Sequence, residues 1–173
     1  YEVVAWAGQG SFSEIWKIRD LQAGQLYALK RIRAECQDIP ACRRLCSNEA
    51  DVGRQLHSRH VVRVVDSNSN CQRPYTILEW IDGSTLEQRL NEDVPLPIGV
   101  AVWIARQCAQ GLYDLAEAGF SHGDVKPTNI FLTSGREVKL VDLGFAQPVQ
   151  DFHRPSRGVL TGTAEYMAPE SLS

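Results

Sequence analysis

The chain has 173 residues, of which 43% are hydrophobic and 23% are charged, and its formal net charge is -3. This composition is typical of a soluble globular protein with one domain or two small lobes, and it excludes a disordered or fibrous chain. Because the charge is slightly negative and the Lys and Arg residues are scattered, we do not expect nucleic acid as a partner.

The longest apolar stretch, residues 98–105, is far shorter than the ~20 residues that span a bilayer, so the sequence predicts no membrane segment within these limits. An odd number of cysteines without a CxxC pair indicates free thiols in a reducing cytoplasm. These cysteines are Cys36, Cys42, Cys46, Cys71 and Cys108. The chain begins without Met and ends without a helix-capping signal, so we expect it to be a fragment.

The beginning of the chain predicts an antiparallel β-meander. Residues 1–7 are apolar and β-rich, GQGSFS at 8–13 is typical of a glycine-rich turn, and EIWKIRD at 14–20 alternates apolar and polar residues. The stretch QLYALKRIR at 25–33 predicts a third strand. These three strands would lie side by side.

A helix and two further strands complete the predicted first lobe, residues 1–81. The helix is expected over 43–57, where Gly53 weakens it by about 1 kcal/mol relative to alanine. VVRVVD at 61–66 and PYTILEW at 74–80 predict the fourth and fifth strands.

The rest of the chain, residues 82–173, predicts a second lobe that begins with helices. Ser84 with Glu87 three residues on indicates a capping box that opens a short helix through Leu90. Pro97 begins a longer helix, and Gly119 lies where a left-handed C-terminal residue belongs. The apolar positions predicted to share one face of that helix are Val102, Ala105, Cys108, Ala109, Leu112, Leu115 and Ala116. NIFLT and EVKLVDLG, joined by SGR, predict a hairpin.

Polar residues crowd around a proline in SHGDVKPTNIFL, residues 121–132, directly before the predicted hairpin. Asp142 ends a strand beside a glycine, a position suited to Mg²⁺, which prefers one or two carboxylates plus phosphate oxygens. Asn129 offers a second oxygen ligand and Lys126 a charge for a phosphoryl group. Asp124 is then left to accept the proton of an attacking hydroxyl.

Two features of the first lobe suit phosphate binding. The glycines at 8–13 would let backbone N–H groups approach phosphates closely, although an ordinary tight hairpin has the same pattern. Lys30 ends an apolar strand, and Glu49 on the following helix is the nearest candidate partner if the lysine points inward.

The order GQGSFSEI, YALK, a helical Glu, HGDVKPTN, DLG and GTAEYMAPE resembles the protein kinase family across essentially the whole chain. The resemblance implies a bilobal α+β fold, with a five-stranded antiparallel N-lobe that carries one helix. It also implies a mainly helical C-lobe, incomplete here because the sequence stops after MAPE. Lys126 and the stretch LHSRHVVRVVD are similar to the serine/threonine-specific, Hanks-type kinases of bacteria.

The resemblance also assigns roles to residues. Lys30 paired with Glu49, and Asp124 with Lys126, would be catalytic, and Asn129 and Asp142 would hold the metal. The residues implied to bind the nucleotide are Gly8, Gln9, Gly10, Ser11, Ile15, Ala28, Lys30, Glu79, Ile81 and Phe131. Leu78 resembles the gatekeeper, and Thr163, Ala168, Pro169 and Glu170 fit the end of the activation segment. ATP and Mg²⁺, with Mn²⁺ as an alternative metal, and a Ser/Thr-containing protein substrate are the implied partners in the cytoplasm.

Several positions depart from the family pattern. Leu143 stands for the Phe of DFG and should still pack. Gly123 stands for the arginine of HRD, so phosphorylation of the activation loop is not expected to be the main on-switch, although Thr161 and Ser156 are available for modification. Gly53 predicts either a mobile helix or a gap that a neighbouring side chain fills.

Two alternatives stay open at this stage. One is a pseudokinase that binds nucleotide or scaffolds other proteins without turnover. The other is a small-molecule kinase, because HGD and Asp-x-Gly are similar to aminoglycoside phosphotransferases; Lys126 and GTAEYMAPE argue against it.

Overall fold

The computed structural model describes residues 1–92, 94–151 and 162–167, and the chain forms two compact units. The first unit comprises Tyr1–Arg54 and Arg63–Trp80. The second comprises Gln55–Val62 and the described residues from Ile81 onwards. The residues predicted above that lie outside the described part are Ser156, Thr161, Ala168, Pro169 and Glu170.

The first unit is built on a five-stranded antiparallel sheet, as the sequence predicted. The strands are β1 (Glu2–Gln9), β2 (Ser13–Arg19), β3 (Leu26–Ile32), β4 (Val64–Asn68) and β5 (Tyr75–Glu79). Their order across the sheet is β1-β2-β3-β5-β4, and all four pairings are antiparallel. The central strand β3 places Lys30 opposite Ile15 on one side and opposite Thr76 on the other.

The helix of the first unit, α1, spans Pro40–Gly53, so the predicted range 43–57 was wrong at both ends. It begins at Pro40 because the fixed φ of proline suits the first helical position and that position needs no N–H partner. It ends at Gly53 because the chain then enters the second unit, where Val61 forms a parallel bridge with Leu140. The same bridge explains why β4 starts only at Val64.

The second unit combines two helices with short strands. In chain order these are β6 (Gly83–Thr85), α2 (Leu86–Leu90), α3 (Ile98–Glu117), β7 (Phe120–Ser121), β8 (Ile130–Thr133), β9 (Val138–Leu140) and β10 (Gln147–Pro148). The strands β6, β8 and β9 form one antiparallel sheet, which confirms the predicted hairpin, and β7 pairs with β10.

The capping box of α2 lies one residue later than predicted. Thr85, not Ser84, is the N-cap: its hydroxyl accepts from the Gln88 N–H, and the Gln88 side chain accepts from the Thr85 N–H. Ser84 and Thr85 both lie in β6. Thr85 is the cap because α2 begins directly after it, at Leu86.

Helix α3 begins after Pro97 and ends before Gly119, whose φ of +88° confirms the predicted left-handed C-terminal residue. The predicted buried face was wrong in part, because the buried residues are Ile104, Gly111 and Leu115 while Val102 is 62% exposed. Gly111 is buried because the His60 backbone passes so close that a Cβ would lie 2.8 Å from its carbonyl oxygen. Among the described residues, no helix is long and apolar enough to cross a membrane.

Truncating Leu115 should destabilise the fold strongly, because its side chain is 0% exposed. We expect Leu115→Ala to lower the free energy of unfolding by about 2–5 kcal/mol through lost burial and a cavity. The control is Val102→Ala on the same helix, which should cost less than about 1 kcal/mol. Denaturant unfolding measures both; equal losses would contradict the assigned face of α3.

Candidate active site

Lys30 and Glu49 form an ion pair inside the first unit. The Lys30 Nζ lies 2.8 Å from the Glu49 Oε1, and the two side chains are 15% and 2% exposed. A carboxylate so deeply buried destabilises the fold unless it is paired. Strand β3 and helix α1 must therefore stay in the positions that keep Lys30 and Glu49 in contact. Gly53 is buried too, which agrees with the interpretation that neighbouring side chains fill the space beside it.

The glycine-rich hairpin connects β1 and β2 and is closed by main-chain bonds. The Gly10 N–H donates to the Ser13 carbonyl at 2.8 Å, and the Arg33 N–H donates to the Phe12 carbonyl at 3.0 Å. Gly8 has a φ of +146°, which side-chain-bearing residues rarely adopt. Among the residues that the structure describes, none beyond the chain neighbours comes within 4 Å of a Cβ built on Gly8 or Gly10, so their backbone is open there.

The remaining residues assigned to the nucleotide divide between the units. Ile15 lies on β2 and Ala28 on β3, while Ile81 and Phe131 belong to the second unit. At the end of β5, Glu79 exchanges main-chain and side-chain contacts with Arg63: its N–H donates to the Arg63 carbonyl at 3.0 Å, and its Oε1 accepts from the Arg63 N–H at 2.9 Å.

Asp124 is the centre of a hydrogen-bonded network in the second unit. Its Oδ1 accepts from the Thr163 N–H at 2.9 Å and from the Thr163 hydroxyl at 2.8 Å. Its Oδ2 accepts from the Asn129 amide at 3.0 Å and lies 2.7 Å from the Lys126 Nζ. The Lys126 Nζ also donates to the Thr163 Oγ1 at 2.7 Å. With 5% exposure and four donors, this carboxylate is held in one orientation.

Asn129 and Asp142 are brought near each other by the β8–β9 hairpin. The Val141 N–H, next to Asp142, donates to the Asn129 carbonyl at 3.0 Å. The Asn129 Nδ2 is engaged by the carbonyl and the carboxylate of Asp124, so its Oδ1 is the side-chain atom left to ligate a metal. Asp142 has a φ of +67°, which is uncommon outside glycine and is typical of a functional position.

The donors fit Mg²⁺, which takes one or two side-chain oxygens from the protein and its other ligands from water and phosphate. Asn129 and Asp142 supply one amide and one carboxylate of this hard type. In the part of the chain that the structure describes, no three His, Cys, Asp or Glu side chains cluster in a way that could enclose a metal ion.

A buried histidine, His122, supports the loop that carries Asp124, residues 122–129, which we call the catalytic loop after the family resemblance. The His122 Nδ1 accepts from the Asp124 N–H at 3.3 Å, and the Nε2 lies 3.1 Å from the Val141 carbonyl, to which only a protonated nitrogen can bond. Burial lowers the pKa of His122 below its ordinary value of 6.5. The neutral Nε2–H tautomer therefore joins the loop to the strand end before Asp142.

Comparison with known proteins decides the family. The model of the family described as "Protein kinase domain" matches residues 1–173. The chain belongs to the protein kinase family. It is 34% identical over 174 residues to serine/threonine-protein kinase PknD of Mycobacterium tuberculosis, 32% over 172 residues to PknL of Mycobacterium bovis, and 31% over 175 residues to PknB of Mycobacterium leprae.

These alignments cover 98–100% of this chain but only 26%, 43% and 28% of the three kinases, in the same order. The chain thus spans between about a quarter and less than half of the length of these relatives. Together with the five-stranded antiparallel sheet, the family match establishes the predicted kinase fold and its resemblance to the bacterial Hanks-type enzymes.

Kinase motifs that depart from the family pattern are accommodated locally. Leu143, in place of Phe, is 0% exposed, which confirms that it packs. Gly123, in place of Arg, has a φ of +78°, and a Cβ there would lie 2.1 Å from the Phe145 carbonyl oxygen. A Cβ on Gly162 would lie 2.8 Å from the Gly123 carbonyl oxygen. Three backbone segments therefore meet at a place where side chains do not fit.

Sequence reasoning missed the contacts of His122 and Thr163. Thr163 was assigned only to the end of the activation segment, yet both its N–H and its hydroxyl bind Asp124. In the sequence, Thr163 is marked only by the preceding glycine and by the polar, Pro/Gly-containing segment before it. This pattern does not identify Asp124, 39 positions earlier, as the partner of Thr163.

Proposed function

We propose that this chain is the catalytic part of an ATP-dependent protein serine/threonine kinase, which transfers the γ-phosphate of Mg-ATP to Ser and Thr hydroxyls of proteins. The observation that carries the proposal is the buried Asp124 carboxylate, oriented by Lys126, Asn129 and Thr163. The relatives named serine/threonine-protein kinases support the class of acceptor.

Within the first lobe, residues 1–81, Lys30 would bind the α- and β-phosphates, and Glu49 keeps its ammonium in place at 2.8 Å. The backbone of residues 8–11 would cover the phosphates, because Gly8 and Gly10 have no side chains to obstruct it. Ile15, Ala28 and Phe131 are assigned to the two faces of adenine. The Glu79 N–H already donates to the Arg63 carbonyl, so we propose that the Ile81 N–H is the main-chain donor that binds adenine.

Within the second lobe, residues 82–173, the Asn129 Oδ1 and the Asp142 carboxylate would hold Mg²⁺, or Mn²⁺ in its place. The metal would neutralise charge on the β- and γ-phosphates of the substrate. Asp142 has a left-handed backbone, and its Oδ1 accepts from the Gly144 N–H at 3.4 Å. These two features set the orientation of its carboxylate.

Asp124 would orient the acceptor hydroxyl and take its proton as the new oxygen–phosphorus bond forms and the bond to the β-phosphate oxygen breaks. Lys126 would offset negative charge on the transferring group. The Thr163 hydroxyl now donates to the Asp124 Oδ1 at 2.8 Å, which is the type of contact that a substrate Ser or Thr hydroxyl would make.

The deciding experiment follows labelled γ-phosphate from Mg-ATP to a generic basic protein, using the intact protein that contains this chain. We expect label on Ser and Thr, and a loss of at least ~100-fold in Lys30→Met, because a preorganised charge is removed. Lys30→Arg keeps the charge beside Glu49 and shows whether the loss follows from a buried unpaired carboxylate. Binding of ATP without transfer by the wild-type protein would reject the kinase in favour of the pseudokinase, and transfer only to small molecules would reject the protein acceptor.

A further inference from the structure

The guanidinium of Arg43, in the first turn of α1, binds four main-chain carbonyls. One terminal nitrogen donates to Gln37 and Gln72, both at 3.1 Å, and the other donates to Ser69 at 3.1 Å and to Cys71 at 2.9 Å. All of these residues belong to the first unit. A single side chain thus connects the start of α1 to the segment before it and to the β4–β5 loop.

Arginine is suited to this task in a way that lysine is not. The guanidinium presents five donors in a fixed plane and stays charged at every relevant pH, so it can hold several carbonyls at once. The loop is otherwise fixed to the sheet: the Arg73 guanidinium donates to the Ile32 carbonyl at 2.9 Å and to the Glu14 carboxylate at 2.7 Å. Arg43 therefore connects α1 to a loop that β2 and β3 already hold.

The start of α1 lacks the usual local support. Its N-cap residue, Ile39, provides no side-chain hydrogen bond, and the first turn holds no acidic residue to complement the helix dipole. Further along, Cys46 contacts the Thr76 hydroxyl at 3.7 Å. Glu49 lies six residues after Arg43, a distance of about 9 Å along a helix. Any displacement of the helix start would therefore be carried to Glu49.

We propose that Arg43 is a positioning residue for the Lys30–Glu49 pair. By donating hydrogen bonds to carbonyls of the β4–β5 loop, it holds α1 in the position where Glu49 contacts Lys30. The proposal rests on the proposed function, because that function assigns phosphate binding to Lys30. The Arg43 guanidinium donates to main-chain carbonyls of residues that are not assigned to the nucleotide, so it would act through the position of α1.

The test uses the intact protein with three variants. Arg43→Gln removes the charge and most donors, Arg43→Lys keeps the charge without the planar set of donors, and Arg44→Gln changes the exposed neighbour as a matched control. We expect the KM for ATP to rise about tenfold in both Arg43 variants, with the KM for the protein substrate unchanged. Amide hydrogen exchange should accelerate in α1 and at 69–72, and Arg44→Gln should match the wild type in every measurement.

A wild-type KM for ATP and unchanged exchange in Arg43→Gln would overturn the proposal, as would full rescue by Arg43→Lys. So would a uniform rise in exchange over the whole first unit with both KM values altered, which is the mark of a merely structural role. If the wild-type protein transfers no phosphate, the proposed function fails, and exchange around Glu49 alone still decides whether Arg43 holds the helix.

Discussion

Changing Asp124 to asparagine should lower phosphoryl transfer by about 10²–10⁴-fold, the usual contribution of a positioned general base. ATP binding should persist, because the phosphate contacts proposed for Lys30 and the glycine-rich hairpin belong to the first unit, whereas Asp124 belongs to the second. The loss should therefore fall on kcat rather than on the KM for ATP.

The local geometry explains why an isosteric change is so costly. Each oxygen of Asp124 accepts two hydrogen bonds, from Thr163 on one side and from Asn129 and Lys126 on the other. An asparagine would turn an NH₂ group toward one of these pairs of donors, and it would remove the negative charge that Lys126 faces. Both the proton acceptor and the order of the loop would be affected.

Asp114→Asn provides the matched control for this change. Asp114 also accepts side-chain hydrogen bonds in the second unit, but it lies on α3 and its donors, Ser58 and Gln110, are not those of Asp124. We expect transfer within about twofold of the wild type, as for most substitutions away from a site. If Asp124→Asn retains more than a tenth of the activity in single-turnover assays, Asp124 is not the base.

The strands of the first unit were predictable from sequence because their signals are local. Alternation in β2 and the apolar run of β3 determine each strand wherever its partners lie. Helix ends and caps were less predictable because they depend on pairing with distant segments: β6 pairs with β8 as far as Thr85, and Val61 forms a bridge with Leu140. A local window of sequence contains neither β8 nor Leu140.

The residues of the candidate site also differ in how far the sequence predicts them. Lys126 and Asn129 were predictable together with Asp124, because both follow it within five positions. The sequence does not reveal that Thr163 closes the network, that His122 must be neutral, or that Arg43 reaches four carbonyls up to 29 positions away. These contacts depend on the path of the backbone, which side-chain identities alone do not specify.

Placing a side chain at Gly123 should destabilise the catalytic loop more than the loss of glycine freedom explains. An alanine there would bear the cost of left-handed backbone, about 1–2 kcal/mol, and its Cβ would also lie 2.1 Å from the Phe145 carbonyl oxygen. Because the Phe145 carbonyl is part of the main chain, the 3₁₀ turn Leu143–Phe145 that follows Asp142 would have to move. We expect a loss of unfolding free energy at least about 1 kcal/mol beyond the backbone term, and a fall in phosphoryl transfer.

Substitution of Gly119 allows the cost of the left-handed backbone to be measured separately from the cost of the contact with Phe145. Its φ of +88° is close to the +78° of Gly123, yet in the described part of the chain nothing beyond its chain neighbours lies within 4 Å of a Cβ built on it, so Gly119→Ala bears the backbone cost alone. Denaturant unfolding of both variants gives the cost of the contact with Phe145 by difference, and equal losses would show that the contact relaxes freely. If the contact does not relax, Gly123→Arg, which restores the usual family residue, should be less active than the wild type, because the clash with the Phe145 carbonyl would displace residue 123 and with it the adjacent Asp124.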